Sequence, residues 1–165
     1  MARTAVWRIA RRPFALDRLG TGARQDGGRW NAPGTAVIYA GRTIAIAALE
    51  TFVHLAGVVP RDLVLVRMDL PDRHSSEAPA LEDLPAGWDA VPVASASVEY
   101  GTRWARETRS LVLYVPSALV REERNAVLNP KHPQFARVDL TIERAFRYDQ
   151  RMFVPRTGPR RAVYP

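Results

Sequence analysis

The chain has 165 residues, 47% of them apolar, which predicts one folded domain with a hydrophobic core. It contains no cysteine, which excludes disulfides, thiolate metal sites and a cysteine nucleophile. The net charge of +7 comes almost entirely from arginine and favours nucleic acid, a phosphorylated small molecule or an acidic protein as partner. A genome rich in arginine codons is the alternative source of this excess. No signal-peptide pattern or apolar run of ~20 residues appears, so we expect a soluble cytoplasmic protein without a membrane span.

The first third of the chain predicts two short strands, a long loop between them and a helix. The strands are residues 4–9 and 36–40, and the loop is residues 11–35. Thr43 is the expected N-cap of a helix that runs to about Ala56, with Gly57 as its stop signal. A loop of about two dozen residues in a compact domain usually carries function.

The rest of the chain mixes strands with one further helix. We expect extended segments at residues 62–70, 110–116 and 137–149, and a short strand that runs into a proline-rich turn at residues 125–133. A helix is expected from Ser95 or Ser97 to about Glu107. A proline-rich surface excursion occupies residues 71–92. The order lacks a regular βαβ rhythm, so an α+β fold is favoured over a doubly wound sheet. One domain is predicted over residues 1–155, followed by a basic, proline-rich tail at residues 156–165.

A glutamate stands in the middle of the predicted helix "TIAIAALETFVHLAG", which is apolar nearly all round and therefore typical of a buried helix. Because an unpaired buried carboxylate is costly, Glu50 must be paired, be protonated or face a wet cleft. A structural pair with His54 or an arginine is one interpretation. The other is a functional cleft, because Arg29 and Tyr39 come just before this helix and a strand-to-helix turn can bring all three together.

Several common catalytic motifs are absent from the sequence. It has no P-loop, no dinucleotide-binding glycine fingerprint and no G-x-S-x-G elbow. The three histidines show no ligand spacing, so we predict no metal. Ser117 directly follows an apolar strand, where it is either a turn or capping residue or part of a binding site.

Three blocks of sequence resemble the RES domain, the toxin half of bacterial RES–Xre toxin–antitoxin pairs. They are "GGRWNAPGTAVIYAG" at residues 27–41, "ALETFVH" at residues 48–54 and "SLVLYVPSALVREERNAVLNPKHP" at residues 110–133. The family is named for an arginine, a glutamate and a serine, which the resemblance places at Arg29, Glu50 and Ser117, with Ser110 as the second candidate serine. Arg8 in "VWRI" also matches an arginine of the family's opening strand. The resemblance covers roughly residues 6–150.

The resemblance implies a compact α+β domain like that of ADP-ribosyltransferase toxins, with a central mixed or antiparallel sheet, flanking helices and a cleft for NAD. It also implies that NAD is a substrate. The reaction is then hydrolysis or phosphorolysis of NAD, or transfer of ADP-ribose to a protein. The implied partner is an Xre-type antitoxin that covers the cleft, with no specific nucleic-acid binding by this chain alone.

Cleavage between nicotinamide and ribose passes through an oxocarbenium-like state, so a carboxylate near the ribose and a grip on the pyrophosphate are needed. Glu50 suits the first role. Arg29 suits the second, and Arg8 can add a further phosphate contact. Nicotinamide leaves as a neutral group, so no general acid is required.

The remaining candidates are assigned to ligand binding. Tyr39 can stack on nicotinamide or ribose, and Ser117 can bond a phosphate or the carboxamide. Trp30 is either a ring platform or a packing anchor, and Asn31 can hold the loop by local bonds. The competing class is a basic nucleic-acid-binding module, which the scattered placement of aromatic and basic residues disfavours.

Overall fold

The structure is a computed structural model that describes residues 4–55 and 59–153. Its seven strands are β1 (Ala5–Arg11), β2 (Ile38–Gly41), β3 (Leu63–Asp69), β4 (Ser76–Glu77), β5 (Val112–Pro116), β6 (Arg124–Leu128) and β7 (Asp139–Ala145). Its α-helices are α1 (Thr21–Asp26), α2 (Ile44–Val53) and α3 (Ser95–Arg106). Each predicted strand and both predicted helices are confirmed. The sequence pattern did not predict α1, inside the long loop, or β4, inside the 71–92 excursion.

The strands form one sheet in the order β4–β5–β6–β2–β1–β3–β7. Only β4 and β5 pair in parallel, and every other neighbouring pair is antiparallel. The predicted α+β fold with a mixed sheet is therefore confirmed. Pairing of β2 with both β1 and β6 places the short strand of the 27–41 block at the centre of the sheet.

Strand alternation divides the sheet into two faces. Helices α2 and α3 both pack on one of them, called here the helical face: Ala47 of α2 shares a buried cluster with Ile9 and Leu65, and Trp104 of α3 shares another with Leu113. The opposite face carries the largest buried cluster, to which the segments after β1 and β6 contribute Ala15 and Phe135: Val6, Ile38, Val66 and Leu128 are among its strand members. The predicted core is therefore present on both faces.

One side of helix α2 lies against β1 and β2. Its residues Ile46 and Ala47 are buried, whereas Ala45 and Val53 are exposed. The prediction of a helix buried all round is wrong, because its outer side is covered only in part: Tyr148 and Phe153 pack on Phe52, while Ala45 and Val53 stay exposed. The helix also ends at Val53, earlier than predicted; the expected stop at residues 56–57 lies outside the described residues.

The beginning of α2 was predicted correctly. The Thr43 side chain accepts a hydrogen bond from the backbone N–H of Ile46, at 3.2 Å. Replacing Thr43 with alanine removes this cap, so we expect Thr43→Ala to lower the free energy of unfolding by about 1 kcal/mol. Urea denaturation measures the change. Thr43→Ser, which keeps the acceptor, serves as control, and equal losses in both variants would contradict the capping role.

Within the described ranges, no helix is long and apolar enough to cross a membrane. The basic tail predicted from residue 156 lies outside those ranges, so its boundary stays a prediction.

Candidate active site

Glu50 is held by two side chains through a single carboxylate oxygen. Its Oε1 accepts a hydrogen bond from Ser117 Oγ at 2.7 Å and another from Asn125 Nδ2 at 2.6 Å. No hydrogen bond from the described part of the chain reaches Oε2. The half-buried carboxylate is thus fixed in orientation by one oxygen, and the other oxygen stays available to a ligand.

Ser117 is completely buried directly after β5, where the chain turns. Its Oγ accepts hydrogen bonds from the backbone N–H groups of Leu119, at 3.0 Å, and Val120, at 3.2 Å. Because these two donors occupy both acceptor positions of the hydroxyl, its proton must point to Glu50. Ser117 is therefore a turn residue that also orients Glu50, and its part in a binding site stays a prediction.

Removal of the Ser117 hydroxyl leaves the backbone N–H groups of Leu119 and Val120 without their acceptor. Glu50 Oε1 then keeps one hydrogen bond, from Asn125, instead of two. We expect Ser117→Ala to lower the free energy of unfolding by about 1–3 kcal/mol. Chemical denaturation measures the loss, with Ser95→Ala as the matched control, since Ser95 is exposed at the beginning of α3. Equal stability of the two variants would show that the network around Ser117 contributes nothing.

Asn125 belongs to this cluster and was not among the predicted site residues. It lies on β6 opposite Gly41 of β2 and Val115 of β5, so its side chain projects from the helical face. Its Oδ1 is buried and has no hydrogen-bond partner among the described residues. One sequence feature could have identified Asn125: it is an amide two residues before Val127, so it shares a strand face with a buried apolar side chain.

Tyr39 stands on the helical face beside this cluster, because its direct strand partner Val127 is two residues from Asn125. Its hydroxyl donates to Asn31 Oδ1 at 2.7 Å and accepts from the backbone N–H of Trp30 at 2.9 Å. Burial raises the pKa of Tyr39 well above its usual range, although the Trp30 N–H and the charge of Arg29 act in the opposite direction. The phenol is therefore neutral and ties the loop to the sheet.

The glycine pair of the "GGRWN" block allows this loop to approach Tyr39. A Cβ atom on Gly28 would lie 2.6 Å from the Tyr39 hydroxyl oxygen, so no larger residue fits without displacing the ring. Asn31 Nδ2 donates to the carbonyls of Ala23, at 2.6 Å, and Thr35, at 2.9 Å. The interpretation of Asn31 as a residue that holds the loop agrees with these bonds.

Arg29 is half-buried and lies close enough to Tyr39 to affect the pKa of its hydroxyl. Its Nη1 donates to two backbone carbonyls of the 71–92 excursion, those of Trp88 at 2.9 Å and Ala90 at 3.0 Å. Arg29 and Tyr39 thus lie on the same face of the sheet as Glu50 and Ser117, in a separate set of hydrogen bonds.

The side chains of Trp30 and Ser110 are buried in the core, and neither is among the hydrogen-bond partners of Glu50 in the described residues. The Trp30 ring stacks on Trp88 with centroids 6.2 Å apart and meets Tyr100 edge-on at 6.1 Å. Of the two interpretations of Trp30, this position matches the packing anchor. Ser110 is buried, accepts from Trp104 Nε1 at 2.8 Å and donates to the Val112 carbonyl at 3.1 Å. The structure does not bring these two residues to the cluster.

Arg8 projects from the opposite face of the sheet. It pairs with Val66, a member of the core cluster on that face, and not with the residues beneath α2. Burial lowers the pKa of Arg8, an effect that the nearby carboxylate of Asp17 opposes. Its Nη1 is buried without a hydrogen-bond partner among the described residues. Arg8 and Glu50 are therefore not brought together, and strand alternation is the reason.

The sequence also matches a known protein family. The model described as the RES domain matches residues 5–149. The chain belongs to the RES domain family. The resemblance indicated by the three sequence blocks is confirmed.

Named relatives share this RES domain over nearly their whole length. The protein called Prs ADP-ribosylating toxin, from Sphingobium sp. (strain YBL2), is 42% identical over 155 residues, which cover 90% of this chain and 96% of the relative. A protein called Toxin Res from Yersinia enterocolitica is 33% identical, over 87% of this chain and 95% of its own. Another Toxin Res, from Pseudomonas putida, is 35% identical, over 90% of this chain and 99% of its own.

A solved structure shares the fold of this RES domain. A chain of the MbcT–MbcA toxin–antitoxin complex of M. tuberculosis superposes with a TM-score of 0.64 and covers 85% of this chain and 82% of its own. The two sequences are 19% identical, so the likeness establishes the fold.

Within the described part of the RES domain, no three His, Asp or Glu side chains come together in a way that could hold a metal ion. The absence of a metal cofactor stays a prediction.

Proposed function

We propose that this RES domain is the toxin of a bacterial toxin–antitoxin pair and that it consumes NAD by cleaving the nicotinamide–ribose bond. The observation that carries the proposal is the geometry of Glu50, which is fixed through Oε1 by Ser117 and Asn125 while Oε2 stays available. Relatives named as toxins support the biological role. The cytoplasm, where NAD is abundant, is the proposed site of action.

Glu50 acts on the ribose in this proposal. When the bond between the anomeric carbon and nicotinamide breaks, its electron pair goes to the nicotinamide nitrogen, which becomes neutral. The positive charge then lies on the ribose ring. A carboxylate oxygen at that position stabilises the charge and binds ribose hydroxyls, and Ser117 and Asn125 keep it oriented without reorganisation.

Arg29 binds the pyrophosphate of NAD. A guanidinium makes charge-assisted, bidentate hydrogen bonds to phosphate oxygens, and its loop lies against Tyr39 on the same face as Glu50. The Tyr39 ring supplies an aromatic surface for nicotinamide or ribose, while its hydroxyl stays engaged with the loop.

The group that attacks the ribose cation completes the reaction. Water gives ADP-ribose, inorganic phosphate gives a phosphorylated ADP-ribose, and a nucleophilic protein side chain gives an ADP-ribosylated protein; water and a side chain lose a proton on attack. The 42% identical relative named as an ADP-ribosylating toxin favours the last reaction as the second candidate function.

The proposed partner is an antitoxin of the Xre type, with a segment that covers the region of Glu50 and Arg29. The net charge of +7 suits an acidic segment in this role. The similar chain in a solved toxin–antitoxin complex supports a partner of this kind.

The experiment is an NAD assay on purified chain, with and without inorganic phosphate, followed by chromatography and mass measurement of the products. Loss of NAD in both buffers with free ADP-ribose supports a glycohydrolase. Loss that depends on phosphate supports a phosphorylase, and ADP-ribose on added cell protein supports a transferase. A folded chain that gives no product under any of these conditions contradicts the proposal.

A further inference from the structure

The segment Leu84–Ala90, called here the Trp88 segment, lies within the proline-rich excursion at residues 71–92, for which the sequence predicts no role. It is not a loose surface loop. Leu84 and Trp88 are each 7% exposed and belong to the core cluster that contains Trp30. Two backbone hydrogen bonds fold it tightly, from Trp88 N–H to the Pro85 carbonyl and from Ala90 N–H to the Gly87 carbonyl.

Stacking of Trp88 on Trp30 sets the position of this segment relative to Arg29. The two indole rings lie 6.2 Å apart with an interplanar angle of 23°. Since Arg29 directly precedes Trp30, this contact presents the carbonyls of Trp88 and Ala90 to the guanidinium, and Nη1 donates to both.

The two carbonyls orient Arg29 without neutralising it. Asp89, which lies between them in sequence, forms its ion pair with Arg121 instead. A carboxylate in this place would compete with an anionic ligand, whereas carbonyl dipoles leave the full positive charge available.

Both bonds use the same nitrogen of the guanidinium. No hydrogen bond from the described residues reaches Nε or Nη2 of Arg29. These two nitrogens form the edge that binds a phosphate through two parallel hydrogen bonds. The arrangement therefore holds one side of the guanidinium and leaves the anion-binding edge free.

We infer that the Trp88 segment positions Arg29 for the pyrophosphate of NAD and that Trp88 is a positioning residue for substrate binding. This inference rests on the proposed function, because it requires Arg29 to bind NAD. Loss of Trp88 should therefore change KM and not the chemical step, since Glu50 is held by Ser117 and Asn125.

The first test compares Trp88→Ala with Trp88→Phe, using Val91→Ala as control, because Val91 is 86% exposed just beyond the segment. Trp88→Ala should raise KM for NAD about tenfold with kcat changed less than about threefold. Trp88→Phe should recover most of the lost affinity, because a phenyl ring still packs on Trp30, and Val91→Ala should match wild type. A folded Trp88→Ala chain with wild-type KM overturns the inference.

A second pair of variants covers the case in which Trp88→Ala fails to fold. Gly87 has φ of +77° and nothing within 4 Å of its Cβ position, so a substitution there acts through backbone strain alone. Gly87→Val should raise KM at least about fivefold, because a β-branched residue is strained at this φ, whereas Gly87→Asn tolerates it and should stay near wild type. Equal KM values for the two variants overturn the inference.

The Arg29→Ala variant separates failure of this inference from failure of the proposed function. If wild type consumes NAD and Arg29→Ala raises KM while the Trp88 and Gly87 variants do not, only the inference fails. If wild type consumes no NAD, or if Arg29→Ala lowers stability and leaves KM unchanged, the role of Arg29 fails and the inference fails with it.

Discussion

Glu50→Gln is expected to lower kcat for NAD consumption by about 10²–10³-fold, the size of effect seen when one preorganised electrostatic contact to a transition state is removed. The amide keeps an oxygen that can accept hydrogen bonds from Ser117 and Asn125, so the fold and the side-chain position are retained. What is lost is the negative charge next to the ribose cation. Initial rates at saturating NAD measure the effect.

Thermal unfolding of the same protein is the control for Glu50→Gln, and its midpoint should lie within a few degrees of wild type. His54→Gln is a second control, because His54 is exposed at the end of the same helix. A Glu50→Gln chain that turns over NAD at the wild-type rate would show that this carboxylate takes no part in the reaction.

Arg29→Ala is expected to raise KM for NAD by about 10–100-fold, because hydrogen bonds to charged groups contribute about 1.5–3 kcal/mol. The loss should appear mainly in KM, since the pyrophosphate is bound equally in the ground and transition states. Steady-state kinetics over a wide range of NAD concentrations separate the two constants.

Arg106→Ala is the control of equal charge change, because Arg106 is exposed on α3 and belongs to none of the contacts around Glu50. It should leave KM unchanged at fixed ionic strength. If both arginine variants raise KM alike, the effect comes from the net charge of the protein and not from a contact at Arg29.

The parts of the structure that follow from local pattern were predicted from the sequence. Thr43 before an apolar run predicted the start of α2, and it caps the helix through its side chain. Glu50 was singled out because a carboxylate on an apolar helix needs a partner, and two partners are present. Arg29 and Tyr39 were expected near it because they precede the helix closely in the chain, and both lie on the same face of the sheet.

The parts that depend on pairing between distant segments were not predicted. Asn125 enters the cluster only because β6 pairs with β2 in a register that puts it opposite Gly41. Arg8 was expected near the pyrophosphate, but its place on the opposite face is decided by its register with β3. The contact of Arg29 with Trp88 spans 59 residues of sequence, and no local pattern marks it.

The most direct test of the account is a crystal structure of the Glu50→Gln variant with NAD bound. We predict that the anomeric carbon of the nicotinamide ribose lies against the side chain at position 50, with the pyrophosphate on the Nε–Nη2 edge of Arg29. NAD bound on the opposite face of the sheet, next to Arg8, would contradict the assignment of the active site.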